Sequence, residues 1–219
     1  MAPKFLAICL NPTIQRTLLF PSIRLDGVNR AQAVRVDASG KGVNVARVLG
    51  QSGASAIHLT HLGGRNRDFY LELCGQDSLD IRWADSGSEI RFCTTAIDQA
   101  AGTATELVEE SAPVQPGTED AVMKLFDAIL PEVDALIVSG TKAAGYSDAI
   151  IPTMVEKAAA RGLLIVLDIK GKDLAACLPY RPSVVKPNLA ELVDSGFLAD
   201  ESGGAKNGSG AAQGPGGAK

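Results

Sequence analysis

A turn of two glycines around a lysine, in Ala38-Ser39-Gly40-Lys41-Gly42-Val43-Asn44-Val45-Ala46-Arg47, stands directly before an apolar helical run. Glycine lets backbone N–H groups approach an anion closely, a helix start adds a partial positive charge, and Lys41 adds a full one. Residues of these types in this order can bind phosphate. The spacing is neither Gly-x-x-x-x-Gly-Lys-Ser/Thr nor Gly-x-Gly-x-x-Gly, so neither of those nucleotide loops is implied. A plain strand-to-helix corner with a solvated lysine reads equally well from these residues alone.

Further along, Lys186-Pro187-Asn188-Leu189-Ala190-Glu191 places an amide and a carboxylate one turn apart. Asn with Glu three residues later is a capping-box pattern, and the same pair could hold a hydrated Mg²⁺ near phosphates. The two readings are compatible. Arg91 is either a solvated strand residue or a bidentate phosphate donor, and Ser139-Gly140 either a strand-ending turn or a ligand contact. His58 and His61 are three apart in one strand, so they point to opposite faces and cannot share a metal. No Ser/His/Asp or Cys/His arrangement recommends a hydrolase.

The elements that would hold these groups follow from periodicity. Lys4–Leu10 is a buried first strand stopped by Asn11-Pro12. Residues 17–36 read as a hairpin-like region, and a helix over Val43–Gln51, with Val45, Val48 and Leu49 on its apolar side, is closed by Gly53. Ala56–Leu62 is a strand and Asp68–Cys74 a helix. The short pieces Ile81–Ala84, Arg91–Ile97 and Thr105–Val108 join the 17–36 region in a small sheet of their own. From Thr118 the pattern alternates: helix to Leu130, strand Ala135–Val138, helix Ser147–Arg161, strand Leu163–Ile169, strand Ser183–Lys186, helix Leu189–Asp194. The helix over 147–161 carries the stripe Ile150, Ile151, Met154, Val155 and Ala158. Continuous apolar strands alternating with helices predict an α/β, doubly wound parallel sheet covered on both faces. Ligands of such sheets lie beyond the carboxyl ends of the strands, where Asn11, Gly140, Asp168 and Lys186 fall.

The 219 residues suffice for one domain with a core, expected over 1–199, and 46% are hydrophobic. Lys+Arg number 21 against 25 Asp+Glu, a net −4 that argues against a nucleic-acid surface. Four scattered cysteines without Cys-x-x-Cys suggest buried thiols in a reducing, cytoplasmic setting. Neither a leader peptide nor a membrane span is expected. Residues 200–219, rich in Gly and Ala, read as a disordered tail.

Taken in order, Asn11-Pro12-Thr13-Ile14, Gly27-Val28-Asn29-Arg30, Ser39 to Arg47, Ser139-Gly140-Thr141 and Lys186-Pro187-Asn188 with Glu191 resemble the PfkB-type carbohydrate kinases of the ribokinase-like superfamily. The branch containing 1-phosphofructokinase and tagatose-6-phosphate kinase is the most similar. The resemblance implies a ribokinase-like fold with a small β-sheet lid, here with lid strands from about 14–36 and 81–108. It also implies an ATP-dependent kinase that phosphorylates a hydroxyl of a sugar phosphate, and a homodimer through the lid as an option. By resemblance Gln15, Gly40, Lys41, Asn44, Arg91 and Gly140 would bind the sugar phosphate. Lys186 would face the nucleotide phosphates, and Asn188 and Glu191 would help place Mg²⁺. Gln15 stands where the family usually has Asp, a hydrogen-bonding group without the charge. The family's Gly-Ala-Gly-Asp segment, with its catalytic base, has no counterpart before the Gly/Ala tail, so no catalytic residue is assigned. The alternative expectation is therefore a catalytically inert sugar-phosphate-binding module or a truncated gene product.

Overall fold

A computed structural model of the chain describes residues 3–196. The tail expected over 200–219 lies outside the described residues. Ten strands and six α-helices are described. The strands are β1 (Lys4–Ile8), β2 (Thr13–Phe20), β3 (Ala33–Ser39), β4 (Ser55–Leu62), β5 (Asp80–Asp85), β6 (Arg91–Asp98), β7 (Thr103–Val108), β8 (Ala135–Ser139), β9 (Leu164–Asp168) and β10 (Val184–Val185). The helices are α1 (Lys41–Gln51), α2 (Arg67–Gln76), α3 (Thr118–Ile129), α4 (Ile150–Ala160), α5 (Gly171–Cys177) and α6 (Leu189–Asp194).

Six strands form one sheet in the order β10-β9-β8-β1-β4-β5, with every neighbouring pair parallel. The chain winds outward from β1 through β4 to β5, then returns to the other side of β1 for β8, β9 and β10. The strand order therefore reverses between β1 and β8, and the crevice beyond their carboxyl ends is where such a sheet takes a ligand.

Side chains of β1 and the two residues after it alternate in kind. Leu6, Ile8 and Leu10 enter the main core with Val122 and Phe126 of α3 and Ile150, Ile151, Met154 and Val155 of α4. On the other face stand the small Ala7 and Cys9, and there α1 comes close: a Cβ on Gly42 would lie 2.6 Å from the Ile8 carbonyl oxygen and 2.8 Å from Cys9 Cβ. Only a residue without a side chain lets the helix start sit on β1 at this distance.

A second sheet, in the order β3-β2-β6-β7, pairs β2 antiparallel to β3 and parallel to β6, and β6 antiparallel to β7. Its inner end, Ile14, Ala38 and Phe92, packs with Val43 of α1 and Tyr70, Leu73 and Cys74 of α2. The rest projects past the main sheet, and all six residues of β7 are exposed.

Three sequence expectations need correction. Ile81–Ala84 belongs to β5, the edge of the large sheet beside β4, and not to the small one. An edge strand covered on one face shows the same alternation as a lid strand, so its pattern misleads. The buried side of α1 is Gly42, Val43 and Ala46, while Val48 is 59% exposed, because the helix begins two residues earlier than expected and is oriented by the Gly42 contact. The helix α5 was not anticipated: only Leu174 and Cys177 of its seven residues are buried, too short a repeat to register as periodic.

Candidate active site

The crevice at the strand reversal opens into a cleft of about 440 Å³ between the large sheet and the small one. Of the expected residues, Gln15, Gly40, Lys41, Asn44, Arg91, Gly140 and Glu191 line it, together with Asp168. Lys186 and Asn188 are not on its walls; they stand behind Asp168 and at the start of α6.

The glycine turn follows β3 and begins α1. Gly40, at φ 119, is the N-cap and supplies no capping side chain. The first amide groups of α1 thus lack a side-chain acceptor, and the helix dipole points its positive end into the cleft. Cys9 lies beneath the turn. Burial pushes its thiol up, against backbone N–H groups of Asn11 and Gly42 that pull the other way. Arg47, one turn on, holds Asn44: its Nη1 donates to Asn44 Oδ1 at 2.6 Å, its Nη2 donates to the Ala38 carbonyl at 2.7 Å, and Asp77 Oδ2 pairs with it at 2.7 Å. One guanidinium therefore ties the helix, the turn and α2's end together.

From Lys41 of the turn, four charges form a chain. Lys41 Nζ is 3.4 Å from Asp168 Oδ2 and 3.7 Å from Glu191 Oε1, and Lys186 Nζ is 3.6 Å from Asp168 Oδ1. Ser139 Oγ donates to Asp168 Oδ2 at 2.8 Å. Glu191 also closes a capping box on α6: its Oε2 accepts from the Asn188 N–H at 3.0 Å, and Asn188 Oδ1 accepts from the Glu191 N–H at 2.8 Å. The cap and the site share one carboxylate. Asp168 was legible only as a residue at a strand's carboxyl end, and that position is the signal that marks it.

From the small sheet, Arg91 reaches in at the start of β6. Its Nη1 donates to the Glu109 carbonyl at 2.9 Å, while its Nε is buried and, among the described residues, has no partner. Asn11, at the end of β1, donates from Nδ2 to Thr141 Oγ1 at 3.1 Å and leaves Oδ1 buried without a partner. One unsatisfied donor and one unsatisfied acceptor beside the same cleft suit a ligand carrying both an anion and hydroxyls. Gln15 Nε2 donates to Thr95 Oγ1 at 2.9 Å across β2 and β6, leaving Gln15 Oε1 as its free acceptor.

The two histidines are structural. His58 is fully buried, its Nδ1 donating to the Ala7 carbonyl at 3.1 Å, and burial pushes its pKa down to about 4. His61 shares a 2.8 Å hydrogen bond with the Tyr146 hydroxyl, and burial lowers it likewise to about 4. Among the described residues no three His, Cys, Asp or Glu side chains are grouped to hold a metal, and no helix is long and apolar enough to cross a membrane.

Residues 6–205 match the family described as pfkB family carbohydrate kinase. The chain belongs to that family. Among solved structures, a possible 1-phosphofructokinase from Thermotoga maritima superposes with a TM-score of 0.80 at 22% identity, covering 85% of this chain and 61% of its own. Phosphofructokinase-2 from Escherichia coli in complex with fructose-6-phosphate superposes at 0.78 and 21% identity, covering 90% and 65%. A putative phosphofructokinase from Staphylococcus aureus gives 0.69 and 22%, covering 91% and 64%. These likenesses establish the ribokinase-like fold for this chain. It spans less than two thirds of the length of each of these three proteins.

Proposed function

We propose that this chain binds a sugar phosphate in the cleft, as the acceptor side of an ATP-dependent sugar-phosphate kinase of the 1-phosphofructokinase and tagatose-6-phosphate kinase kind. The observation that carries the reading is the convergence of Lys41, Arg91 and the uncapped start of α1 on one polar cleft at the strand reversal. The phosphate group sits against the Gly40–Asn44 turn, and the sugar extends past Gly140 towards Gln15. Two cations and a helix start supply charge-assisted hydrogen bonds of the strong kind.

Lys186, 75% exposed, is free to swing to the nucleotide phosphates. Asn188 and Glu191 fit Mg²⁺ only through its water shell, since two of the oxygens that could face it, Asn188 Oδ1 and Glu191 Oε2, are already used in the cap. When bound, Mg²⁺ would neutralise phosphate charge. Asp168 and Glu191 would meet its waters, while Lys41 turns to the sugar phosphate.

A second reading, a sugar-phosphate-binding protein that transfers nothing by itself, is favoured by one feature. Both sheet-side carboxylates of the cleft are engaged, Asp168 with two lysines and a serine and Glu191 with the cap and Lys41. A carboxylate held by cations is a poor general base. The small sheet also offers a homodimer interface, because Val34 and Leu107, 56% and 61% exposed, share the face turned away from the cleft.

Isothermal titration of the purified chain with fructose 1-phosphate, tagatose 6-phosphate and unphosphorylated fructose tests the first claim. Binding of at least one phosphosugar, and none of fructose, is the expected result; no heat with either phosphosugar overturns it. A coupled assay with ATP and Mg²⁺ then separates the two readings, since turnover excludes the inert one.

A further inference from the structure

The small sheet presents one face to the cleft, and its register specifies which side chains share that face. Gln15 of β2 pairs with Cys93 of β6, Thr95 lies two residues on, and Thr95 stands directly opposite Glu106 of β7. Side chains two apart on a strand, and those directly paired across strands, point the same way. Gln15, Thr95 and Glu106 thus form a polar row running across three strands, and both its ends, Gln15 and Glu106, line the cleft. The Gln15 amide is already spent on the Thr95 hydroxyl at 2.9 Å.

Arg91 is the cation of this wall, four residues before Thr95 on β6, about 13 Å along the strand at the usual rise. The wall is therefore polarised: a guanidinium at the end near the glycine turn, a carboxylate at the other. Glu106 is the acid that the small sheet contributes to the cleft lining among the described residues. It has no described ion-pair partner, unlike Asp168 and Glu191 on the opposite wall. An ionised carboxylate accepts hydrogen bonds and donates none. What it recognises in a neutral polyol is a hydroxyl donor, and what it repels is a second phosphate.

Resting on the sugar-phosphate reading above, we propose that Glu106 is a specificity-determining residue of the cleft. It accepts a hydrogen bond from a sugar hydroxyl remote from the phosphate, with Gln15 Oε1 accepting beside it. The phosphosugar is thereby oriented, phosphate to Lys41 and Arg91 and hydroxyls to the β2–β6–β7 row. Glu106 also disfavours sugars that carry phosphate at both ends.

The test measures binding of fructose 1-phosphate, fructose 1,6-bisphosphate and inorganic phosphate to the wild-type chain and to Glu106→Ala and Glu106→Gln. A hydrogen bond to a charged group is lost in Glu106→Ala, so fructose 1-phosphate binding weakens about ten- to a hundredfold. Inorganic phosphate affinity stays within about twofold, which also certifies that the variant is folded. Glu106→Gln, which keeps an acceptor and removes the charge, loses less for fructose 1-phosphate and improves the relative binding of the bisphosphate. Unchanged fructose 1-phosphate affinity in Glu106→Ala overturns the assignment, as does an equal loss for fructose 1-phosphate and inorganic phosphate. Failure of the wild-type chain to bind either sugar overturns the sugar-phosphate reading itself, and shows before any variant is made.

Discussion

The centre of the large sheet and its β9–β10 margin are built differently, though both face the cleft. At the centre, Leu6, Ile8 and Leu136 are wholly buried, and the glycine turn is seated on β1 without room for a methyl group. At the margin, Val184 and Val185 of the last strand are 47% and 37% exposed and Leu189 of α6 is 71% exposed. Of the groups proposed to hold the sugar phosphate, the glycine turn with Lys41 and Asn44 is anchored in the first region and Gln15 and Arg91 stand on the small sheet, while those that would face the nucleotide stand on the second. On the proposed reading, the phosphate-holding turn rests on the core, whereas the nucleotide side depends on a two-residue strand and a six-residue helix. Elements with few buried apolar contacts open first.

The largest effect that would sharpen this contrast comes from acid. His58 and His61 of β4 are held neutral, with pKa near 4 against about 6.5 when unfolded. Their stabilising contribution is complete above pH 6.5 and is lost as pH falls towards 4, because the unfolded chain then binds protons that the folded one refuses. Urea denaturation at pH 7 and pH 5 should differ by on the order of 4 kcal/mol for the pair. A flat profile between those values would mean that the centre is not closed around them.

Core truncation comes next. Leu136→Ala in β8 is expected to cost about 3 kcal/mol, while Val185→Ala in β10 costs below about 1 kcal/mol, both read from denaturation midpoints. Equal losses would break the comparison. Gly42→Ala forces a methyl group against the Ile8 carbonyl and should destabilise by about 2 kcal/mol while weakening phosphosugar binding. Asn188→Ala removes half of the capping box, costs about 1 kcal/mol, and should leave fructose 1-phosphate affinity unchanged in calorimetry. Smallest in stability is Lys41→Met: its ion pairs are half-exposed, so denaturation moves by less than about 1 kcal/mol, yet phosphosugar affinity falls at least tenfold.

The sequence is most readable where one physical constraint acts alone. All five residues expected on the stripe of α4 are buried, because a helix over a parallel sheet has one face to hide. The Asn188–Glu191 box is equally local, and it forms. Legibility drops where two elements compete for a face: α1 is oriented by Gly42 against β1, a contact invisible to periodicity, and β5 carries lid-like alternation on a main-sheet edge. In the site, the glycine turn and Arg91 could be named from residue types, Gln15 only through the family resemblance and Asp168 only from its place at a strand's carboxyl end, while Glu106 could not be named. Their places depend on β9 lying beside β8 and on the β6–β7 hairpin lying beside β2, pairings between segments far apart in the chain that no window of sequence contains.

The Gly42 contact has a further meaning for how the site could change over time. With the Ile8 carbonyl 2.6 Å from where a Cβ would stand, the start of α1 is a fixed datum for the molecule, and the offsets of Lys41, Asn44 and Arg47 are all inherited from it. The small sheet bears no such reference beyond its inner end, so β7 can vary in residue type without disturbing the turn. On the proposed reading, selection for a new sugar would find its raw material on that outer wall, while the glycine turn stays as it is.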